Sequence, residues 1–485
     1  MYMRNLAGRT LANPLRLIIP LILVVLAGPA FNASGQTLTT LHQFGGFPGD
    51  GDAPADALVQ GRDGYLYGTA CGGGTNGDGC IFKISTNGVL TIPYSFTGSL
   101  DGGSPLGGLV QGSDGNFYGT TQYGGTNNVG TVFKVTTNGT LTTLHSFIGA
   151  PVDGAWPEAG LVQGGDGYFY GTTYYGGTDT SCANSGCGTV FKISTNGALT
   201  TLYSFLGGDD GQRTQATLVQ GTDGWLYGVT VAGGTNGYGT VFKISSDGLL
   251  TTLYSFLGTP VDGEFPQTGV VQGSDGNFYG TTLLGGTNGH GTVFRMNTNG
   301  ALATLYHFAG GTDGDEIYGG LVQGSDGNFY GTSYLGGSTY LYGTVFKITP
   351  TGSLTNLYSF TGGKDGGSPK SGLVQASDGN FYGTTFWGGT NNAGVVFKIT
   401  VPLAPPPWPI NQITGVQPSG NDIVFNVVSI ACETYQLQFS NSMNPTNWVN
   451  VPGVSVTNSI GALLTLTNFG GVTGPQGFYR FAITP

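Results

Sequence analysis

Residues 109–121 read LVQGSDGNFYGTT, and close copies of this stretch occur six more times along the chain. Every copy carries one aspartate followed by glycine, and these aspartates are 51, 52, 57, 52, 51 and 52 residues apart. A period of about 50 residues indicates an architecture of structural repeats. The repeat aspartates are Asp63, Asp114, Asp166, Asp223, Asp275, Asp326 and Asp378.

Each repeat holds four short runs with high β propensity. In the second repeat they read LVQ, FYGTT, TVFKV and LTTLHSF, and glycine, asparagine and aspartate fill the positions between them. Four short strands joined by hairpins are typical of one blade of a β-propeller. The sequence therefore predicts an all-β chain with a seven-bladed β-propeller at residues 37–400.

The position of the fourth run predicts how the ring closes. A copy, LTTLHQF, precedes the first repeat at residues 38–44, whereas the seventh repeat ends at Thr400 without one. We therefore predict that residues 38–44 pair with residues 395–399, so that the N-terminal strand closes the last blade. A solenoid would instead need a capping repeat at each end.

Three other segments flank the predicted propeller. Residues 1–30 place three arginines before the apolar run LIIPLILVVLA, which is too short to span a bilayer and predicts a cleaved secretory signal peptide. Residues 401–410 are rich in proline and predict a stiff linker. Residues 411–485 contain five strand-like runs and predict a small β-sandwich. No second long apolar run follows, so we expect no membrane span in the mature chain.

Composition and motifs exclude several classes of function. Aromatic residues make up 12% of the chain, which argues against disorder. The net charge of -11 disfavours a nucleic-acid partner, because the phosphate backbone would be repelled. The chain has no GxSxG, HExxH or Walker motif. We therefore expect a protein that is not an enzyme.

Residues 37–400 resemble the GloVer tandem-repeat family of exported bacterial proteins, whose repeat reads GLVQGSDGNFYGTT followed by GG and GTVFKI. The DGNFYGTT core is also similar to the DGxLWxGT element of sensor-type regulator propellers. The C-terminal runs TYQLQFS and GFYR resemble fibronectin-like and immunoglobulin-like sandwiches. These resemblances imply a propeller and export, and they imply no particular activity.

Two sets of aspartates recur in every repeat. One is the repeat set given above, and the other lies in the connections between blades. A catalytic group seldom needs seven copies, so we interpret both sets as supports of blade geometry. His42 and His145 occupy the tyrosine position of the fourth run and are predicted to pack rather than to bind a ligand. The connection aspartates are Asp50, Asp101, Asp153, Asp210, Asp262, Asp313 and Asp365.

Strand direction divides the loops between two rims. The Asp-Gly turns and the Asn-Gly turns lie on one rim, which we name the constant rim because its sequence hardly changes between repeats. The G-G-T-N loops and the connections between blades lie on the other, the variable rim. Variation among copies of one fold is where function can be added, so we predict that function resides on the variable rim.

Aromatic side chains are the main candidates on the variable rim. Exposed rings suit stacking on sugars or peptides, and packing between neighbouring blades is the alternative. The candidate ligand-binding residues are Tyr123, Trp156, Tyr174, Tyr175, Phe265, Tyr334, Phe386 and Trp387. We expect a secreted propeller that binds a glycan, a peptide or a cell-surface partner. The alternative is an extracytoplasmic hydrolase or lyase whose acid and base come from different blades.

Four of the five cysteines predict two local disulfides. Cys71 and Cys80 flank one G-G-T-N loop, and Cys182 and Cys187 flank part of the corresponding loop in another repeat. Such disulfides agree with export to an oxidising compartment. Cys432 is left over as a free thiol.

Three acidic residues near the N-terminus are candidates for calcium. Asp50, Asp52 and Asp56 offer hard oxygen ligands at short spacing. Their spacing does not match an EF-hand, and an ordinary acidic turn is the alternative. We expect no other cofactor.

Overall fold

The computed structural model describes residues 36–401, apart from 180–181, 183–184 and 338–340, together with the backbone of six strands between residues 413 and 484. Every regular element in these ranges is a β-strand. No helix in the described part of the chain could cross a membrane. The predicted signal peptide, residues 402–410 of the predicted linker and Cys432 lie outside the described residues.

Seven four-stranded antiparallel sheets follow one another along the chain as blades 1–7. The N-terminal strand is β1 (Thr37–Gln43). Blade 1 comprises β2 (Val59–Gln60), β3 (Leu66–Ala70), β4 (Cys80–Ile84) and β5 (Leu90–Ser95). Blade 2 comprises β6 (Val110–Gln111), β7 (Phe117–Thr121), β8 (Thr131–Val135) and β9 (Leu141–Ser146). Blade 3 comprises β11 (Val162–Gln163), β12 (Phe169–Thr173), β14 (Thr189–Ile193) and β15 (Leu199–Ser204).

The remaining blades have the same form. Blade 4 comprises β16 (Val219–Gln220), β17 (Leu226–Thr230), β18 (Thr240–Ile244) and β19 (Leu250–Ser255). Blade 5 comprises β21 (Val271–Gln272), β22 (Phe278–Thr282), β24 (Thr292–Met296) and β25 (Leu302–His307). Blade 6 comprises β26 (Val322–Gln323), β27 (Phe329–Ser333), β28 (Thr344–Ile348) and β29 (Leu354–Ser359). Blade 7 comprises β30 (Val374–Gln375), β31 (Phe381–Thr385), β32 (Val395–Thr400) and, from the other end of the chain, β1.

The ring closes as predicted. Strand β1 pairs antiparallel with β32, so that Leu38 lies opposite Ile399 and Gln43 lies opposite Val395. Leu41 and Phe44 pack into the core between blades 7 and 1, against Leu58 and other buried side chains. The N-terminal segment therefore joins the first blade to the last.

A tyrosine and an aspartate are bonded in every blade. The tyrosine of the F-Y-G or L-Y-G run donates a hydrogen bond to the repeat aspartate four residues earlier, at 2.6–2.8 Å. In five blades the same ring lies against a phenylalanine ring of the next blade. The ring centres of Tyr118 and Phe169, for example, are 3.9 Å apart. The repeat aspartates thus have the structural role that we predicted for them.

The glutamine of each L-V-Q run links neighbouring blades, a contact that the repeat pattern alone does not predict. Gln111 Oε1 accepts a hydrogen bond from the backbone N–H of Arg62 in the preceding blade at 2.9 Å. Equivalent bonds occur at all seven blade boundaries, and the bond from Ser377 N to Gln60 Oε1, at 2.8 Å, completes the ring. The seven glutamines thus form a closed circle of contacts between blades.

Ionisation of buried tyrosines should unfold the propeller at alkaline pH. Burial, together with the hydrogen bond to Asp275, raises the pKa of Tyr279 to about 12, and the same causes act on Tyr94 beside Asp101. A raised pKa means that the native state holds the proton more tightly, so the contribution of these phenols is complete below their unfolded pKa of about 10 and is lost as the pH rises through about 12. We expect phenolate absorbance to appear together with loss of the β-sheet circular dichroism signal. Phenolate forming near pH 10 in a protein that stays folded would contradict this.

The C-terminal strands form two separate three-stranded antiparallel sheets. They are β33 (Ile413–Ser419), β34 (Asp422–Val428), β35 (Glu433–Ser440), β36 (Val449–Asn458), β37 (Leu463–Asn468) and β38 (Phe478–Thr484). One sheet has the order β33-β34-β37 and the other has the order β36-β35-β38. The predicted packing of this region as a sandwich stays a prediction.

Candidate ligand-binding rim

The variable rim is built from loops and connections that pair with each other. In blade 3, β10 (Gly154–Ala155) of the connection pairs with β13 (Tyr175–Gly176), which follows the second strand of the blade. In blade 5, β20 (Gly263–Glu264) pairs with β23 (Leu284–Gly285) in the same way. Other blades hold this position with one bridge, such as Gly103 with Tyr123. The backbone beneath the candidate aromatic residues is therefore fixed.

One non-glycine residue in every connection has a positive φ, between 51° and 61°. L-residues rarely adopt this conformation, and its recurrence in all blades marks a strained position of the kind that is concentrated at functional sites. Its backbone also bridges blades: Trp156 N–H donates to the Val129 carbonyl of blade 2, and the Trp156 carbonyl accepts from Tyr174 N–H. The position thus presents six different residue types from the seven connections at a fixed place. Its occupants are Ala53, Ser104, Trp156, Arg213, Phe265, Glu316 and Ser368.

Four of the predicted aromatic residues form one continuous cluster, which we name the first aromatic arc. The ring of Trp156 lies 5.7 Å from Tyr123 and 5.1 Å from Tyr175, and Tyr175 lies 4.7 Å from Tyr174. All three contacts are edge-to-face, and Tyr123 is 40% exposed whereas the other three are half-buried. The rings of this arc therefore pack against each other across blades 2 and 3, and they leave part of Tyr123 exposed to solvent.

A second aromatic arc lies on blades 6 and 7. Phe386 and Trp387 have ring centres 4.8 Å apart, and the ring centre of Tyr334 lies 5.1 Å from that of Tyr318, which was not among the predicted residues. The amine of Lys370 lies 5.6 Å from the Tyr318 ring and 5.2 Å from the Phe386 ring, so it joins the two pairs. The signal in the sequence is that Tyr318 is an aromatic residue in a connection between blades, as Trp156 and Phe265 are.

Phe265 belongs to neither arc. The ring contact found for it is with Tyr238 of the preceding blade, at 6.0 Å. Its side chain is half-buried, at the same strained backbone position as Trp156. Seven of the eight candidate rings thus fall into two groups, Phe265 lies apart from both, and their role in ligand binding stays a prediction.

A cavity of about 490 Å³ lies where the inner strands of all seven blades converge. One residue from each connection lines it, two positions after the residue with positive φ. Glycine also recurs in the lining because the segments that precede the inner strands of neighbouring blades nearly touch: a Cβ on Gly269 would lie 2.2 Å from the Thr217 carbonyl oxygen. The lining residues of the outer position are Ala55, Leu106, Glu158, Gln215, Gln267, Tyr318 and Lys370.

Two carboxylates line this cavity among the described residues. Glu158 accepts a hydrogen bond from Gln122 at 2.6 Å, and burial raises its pKa, an effect that Lys370 opposes. Asp56 accepts hydrogen bonds from the backbone N–H groups of Ala57 at 2.7 Å and of Gly108 in the next blade at 2.5 Å, and burial raises its pKa as well. Asp56 thus connects two blades, whereas Glu158 is held by a single side chain.

The three candidate calcium ligands are not brought together. Asp50 is occupied by His42 and by the backbone N–H of Gly45, and Asp56 bonds to blade 2. Within the described ranges, no three side chains of His, Cys, Asp or Glu are grouped so as to hold a metal ion. His145 bonds to Asp153 as His42 does to Asp50, and tyrosines make the same bond in the other blades. Both histidines therefore have the packing role predicted from their position.

One predicted disulfide is present and the other is not. Cys182 and Cys187 are bonded, as predicted. The prediction for Cys71 and Cys80 was wrong, because both are free thiols. Ala70 is the residue that lies opposite Cys80, so the next residue, Cys71, points to the other face of the hairpin.

The two free thiols contact backbone carbonyls instead. Cys71 donates to the carbonyl of Ala53 at 3.1 Å, and Cys80 donates to that of Asp50 at 3.3 Å. Burial raises the pKa of Cys71 to about 11 and that of Cys80 to about 12. Neither thiol is therefore a reactive nucleophile at neutral pH.

The chain matches the family described as Gloeobacter/Verrucomicrobia repeat over residues 29–183, 164–337 and 245–404. Together these segments cover the whole propeller. No curated protein matches the chain.

Several solved structures are similar at low identity. They include extracellular domains of two candidate sensor systems of B. thetaiotaomicron, a hybrid two-component system (13% identity, 90% of this chain and 53% of that one, TM-score 0.47) and a one-component system (10%, 84% and 47%, 0.46). A fungal alcohol oxidase in complex with copper is also similar (13%, 92% and 95%, 0.49). The chain thus spans about half the length of the two sensor domains. Likeness at such identity concerns the fold and not the activity.

Proposed function

Because this chain belongs to the Gloeobacter/Verrucomicrobia repeat family, whose description names a repeat and no reaction, we propose its function from the variable rim. The protein is a non-enzymatic propeller that binds a glycan on this rim. The first aromatic arc is the observation that carries the proposal, since it joins Tyr123, Trp156, Tyr174 and Tyr175 across blades 2 and 3.

The chemistry of the rim favours a glycan over a peptide. A sugar ring has an apolar face that stacks on an aromatic ring and hydroxyl groups that need polar partners. The cavity beside the rim supplies such partners in Gln215 and Gln267. A peptide that binds through its side chains would favour deeper apolar pockets, whereas here Tyr123 is exposed and the other rings of the first aromatic arc are half-buried.

Export of the protein belongs to this proposal. The disulfide between Cys182 and Cys187 and the predicted signal peptide both support an extracytoplasmic location. A glycan or cell-surface partner would be met there. Fractionation of cells expressing the full chain, with detection of the cleaved N-terminus, would test this.

A hydrolase or lyase is the second candidate function. It is supported by Glu158, whose raised pKa suits a general acid, and by the second carboxylate, Asp56, in the same cavity. The two backbone hydrogen bonds to Asp56 argue for a structural carboxylate instead. Glu158→Gln separates the two functions: it would abolish turnover of a polysaccharide that the protein cleaves, and it would leave a binding protein able to bind.

Replacing Trp156 and Tyr175 together by alanine should weaken glycan binding. A screen of immobilised polysaccharides first identifies a ligand. We expect the double variant to weaken the binding free energy of that ligand by about 1–3 kcal/mol, because both rings belong to the first aromatic arc. Isothermal titration calorimetry gives the affinity and thermal unfolding gives the stability. The matched control is Tyr168→Ala, a tyrosine of the same blade on the constant rim that is 38% exposed. A double variant that unfolds while its residual affinity is unchanged would show that the arc is packing between blades.

A further inference from the structure

The propeller has few cations beyond those that recur in every blade. Between residues 37 and 400, seven basic residues occupy the same position of the V-F-K run and only four others exist. Two of these four lie on the variable rim beside the aromatic arcs. The four are Arg62, Arg213, Lys364 and Lys370.

Arg213 extends the first aromatic arc onto blade 4. It occupies the strained connection position, with φ of 61°, that Trp156 occupies in blade 3. Its guanidinium carbon lies 5.8 Å from the ring centre of Tyr174 and 6.0 Å from that of Tyr175. Its Nε is buried and has no hydrogen-bond partner among the described residues. A buried nitrogen without a hydrogen-bond partner is costly even on a half-buried side chain such as that of Arg213, so this site favours a further acceptor.

Lys370 likewise lies beside two aromatic rings, in the second aromatic arc. Its amine lies between the rings of Tyr318 and Phe386, and it also lines the central cavity. Throughout the described residues, neither Lys370 nor Arg213 forms an ion pair, although the chain as a whole is acidic. Each arc thus combines aromatic rings with one cation that makes no direct salt bridge, although Glu158, which lines the same cavity, attracts Lys370 electrostatically.

We infer that the ligand of the variable rim is an anionic polysaccharide, with carboxylate or sulfate groups that contact Arg213 and Lys370 while its sugar rings stack on the two arcs. This inference rests on the proposed function and names the class of glycan. A neutral glycan could offer hydroxyl groups to both cations, but it would supply no negative charge to form an ion pair with either of them. A charge-assisted hydrogen bond to an anionic group satisfies them and is stronger than a bond between neutral groups.

Matched pairs of polymers test the inference with the full mature chain. Polygalacturonate is compared with its methyl-esterified form, and dextran sulfate is compared with dextran, so that each pair differs only in charged groups. We expect at least one polyanion to bind at least about tenfold more tightly than its neutral partner, and the pair that responds identifies carboxylate or sulfate. Equal affinity for both members of each pair would overturn the inference and leave the proposed function intact. If none of these polymers and no other glycan binds, the proposed function fails as well.

Charge-neutralising variants locate the contact. Arg213→Gln and Lys370→Gln should each lower the affinity for the polyanion about tenfold, whereas Lys364→Gln, an exposed lysine of the same connection as Lys370, should lower it less than twofold. Arg213→Lys should recover part of the affinity because it restores the charge. Melting temperatures are measured alongside, so that a misfolded glutamine variant is recognised and replaced by the neutral methionine variant of the same residue. Equal losses in all three glutamine variants would overturn the assignment, as would binding of poly-glutamate with the same affinity as the polysaccharide.

Discussion

Deleting residues 1–44 should abolish the cooperatively folded propeller. The deletion removes β1, so β32 loses its partner strand and blade 7 keeps three strands. It also removes Leu41 and the fully buried Phe44 from the core between blades 7 and 1. Losing one large buried aromatic side chain costs about 3–5 kcal/mol, and a strand-length ladder of hydrogen bonds is lost with it. Together these losses approach the whole stability of an ordinary domain, about 5–15 kcal/mol.

Deletion of residues 1–35 is the matched control for this experiment. It leaves every residue of β1 in place and should not change the unfolding transition. Thermal unfolding followed by circular dichroism measures both proteins. A protein without residues 1–44 that unfolds as sharply and at the same temperature as the control would show that β1 does not close the ring.

Gly228→Ala should destabilise the propeller by about 3 kcal/mol, although it adds a single methyl group. Gly228 lies in the middle of β17, and a Cβ there would be 2.5 Å from the Phe242 ring and 2.6 Å from Leu218. Both neighbours are buried and have no room to move away, so the core must shift. The glycine at this position of every blade faces a phenylalanine in the same way, at 2.4–2.7 Å.

Gly208→Ala provides the comparison, because a Cβ on Gly208 would meet nothing within 4 Å. This exposed-loop variant should lie within about 0.5 kcal/mol of the parent protein. Equilibrium unfolding in urea gives both values. Equal stability of the two variants would contradict the close approach of the Phe242 ring to the β17 backbone.

The features shared by all repeats could be predicted from the sequence. The number of blades, the closing strand at residues 38–44 and the structural role of the repeat aspartates all follow from patterns that recur within about 50 residues. Such patterns are local: a tyrosine four residues after an aspartate in the same hairpin reaches it whatever surrounds the blade. The glutamine circle recurs as regularly, but its partner is in another blade, and the sequence does not show which donor it meets.

Contacts between residues that differ from blade to blade required the tertiary structure. The meeting of Tyr123 with Trp156, and of Lys370 with both Tyr318 and Phe386, depends on how far neighbouring blades are rotated about the ring axis. The free thiols of Cys71 and Cys80 depend on the register of one hairpin, since a shift of one residue moves a side chain to the opposite face. The repeated scaffold could therefore be predicted from the amino-acid sequence, because local periodicity encodes it seven times. The grouping of unique side chains into a site required the folded structure, because their distances are set by how neighbouring blades pack against each other.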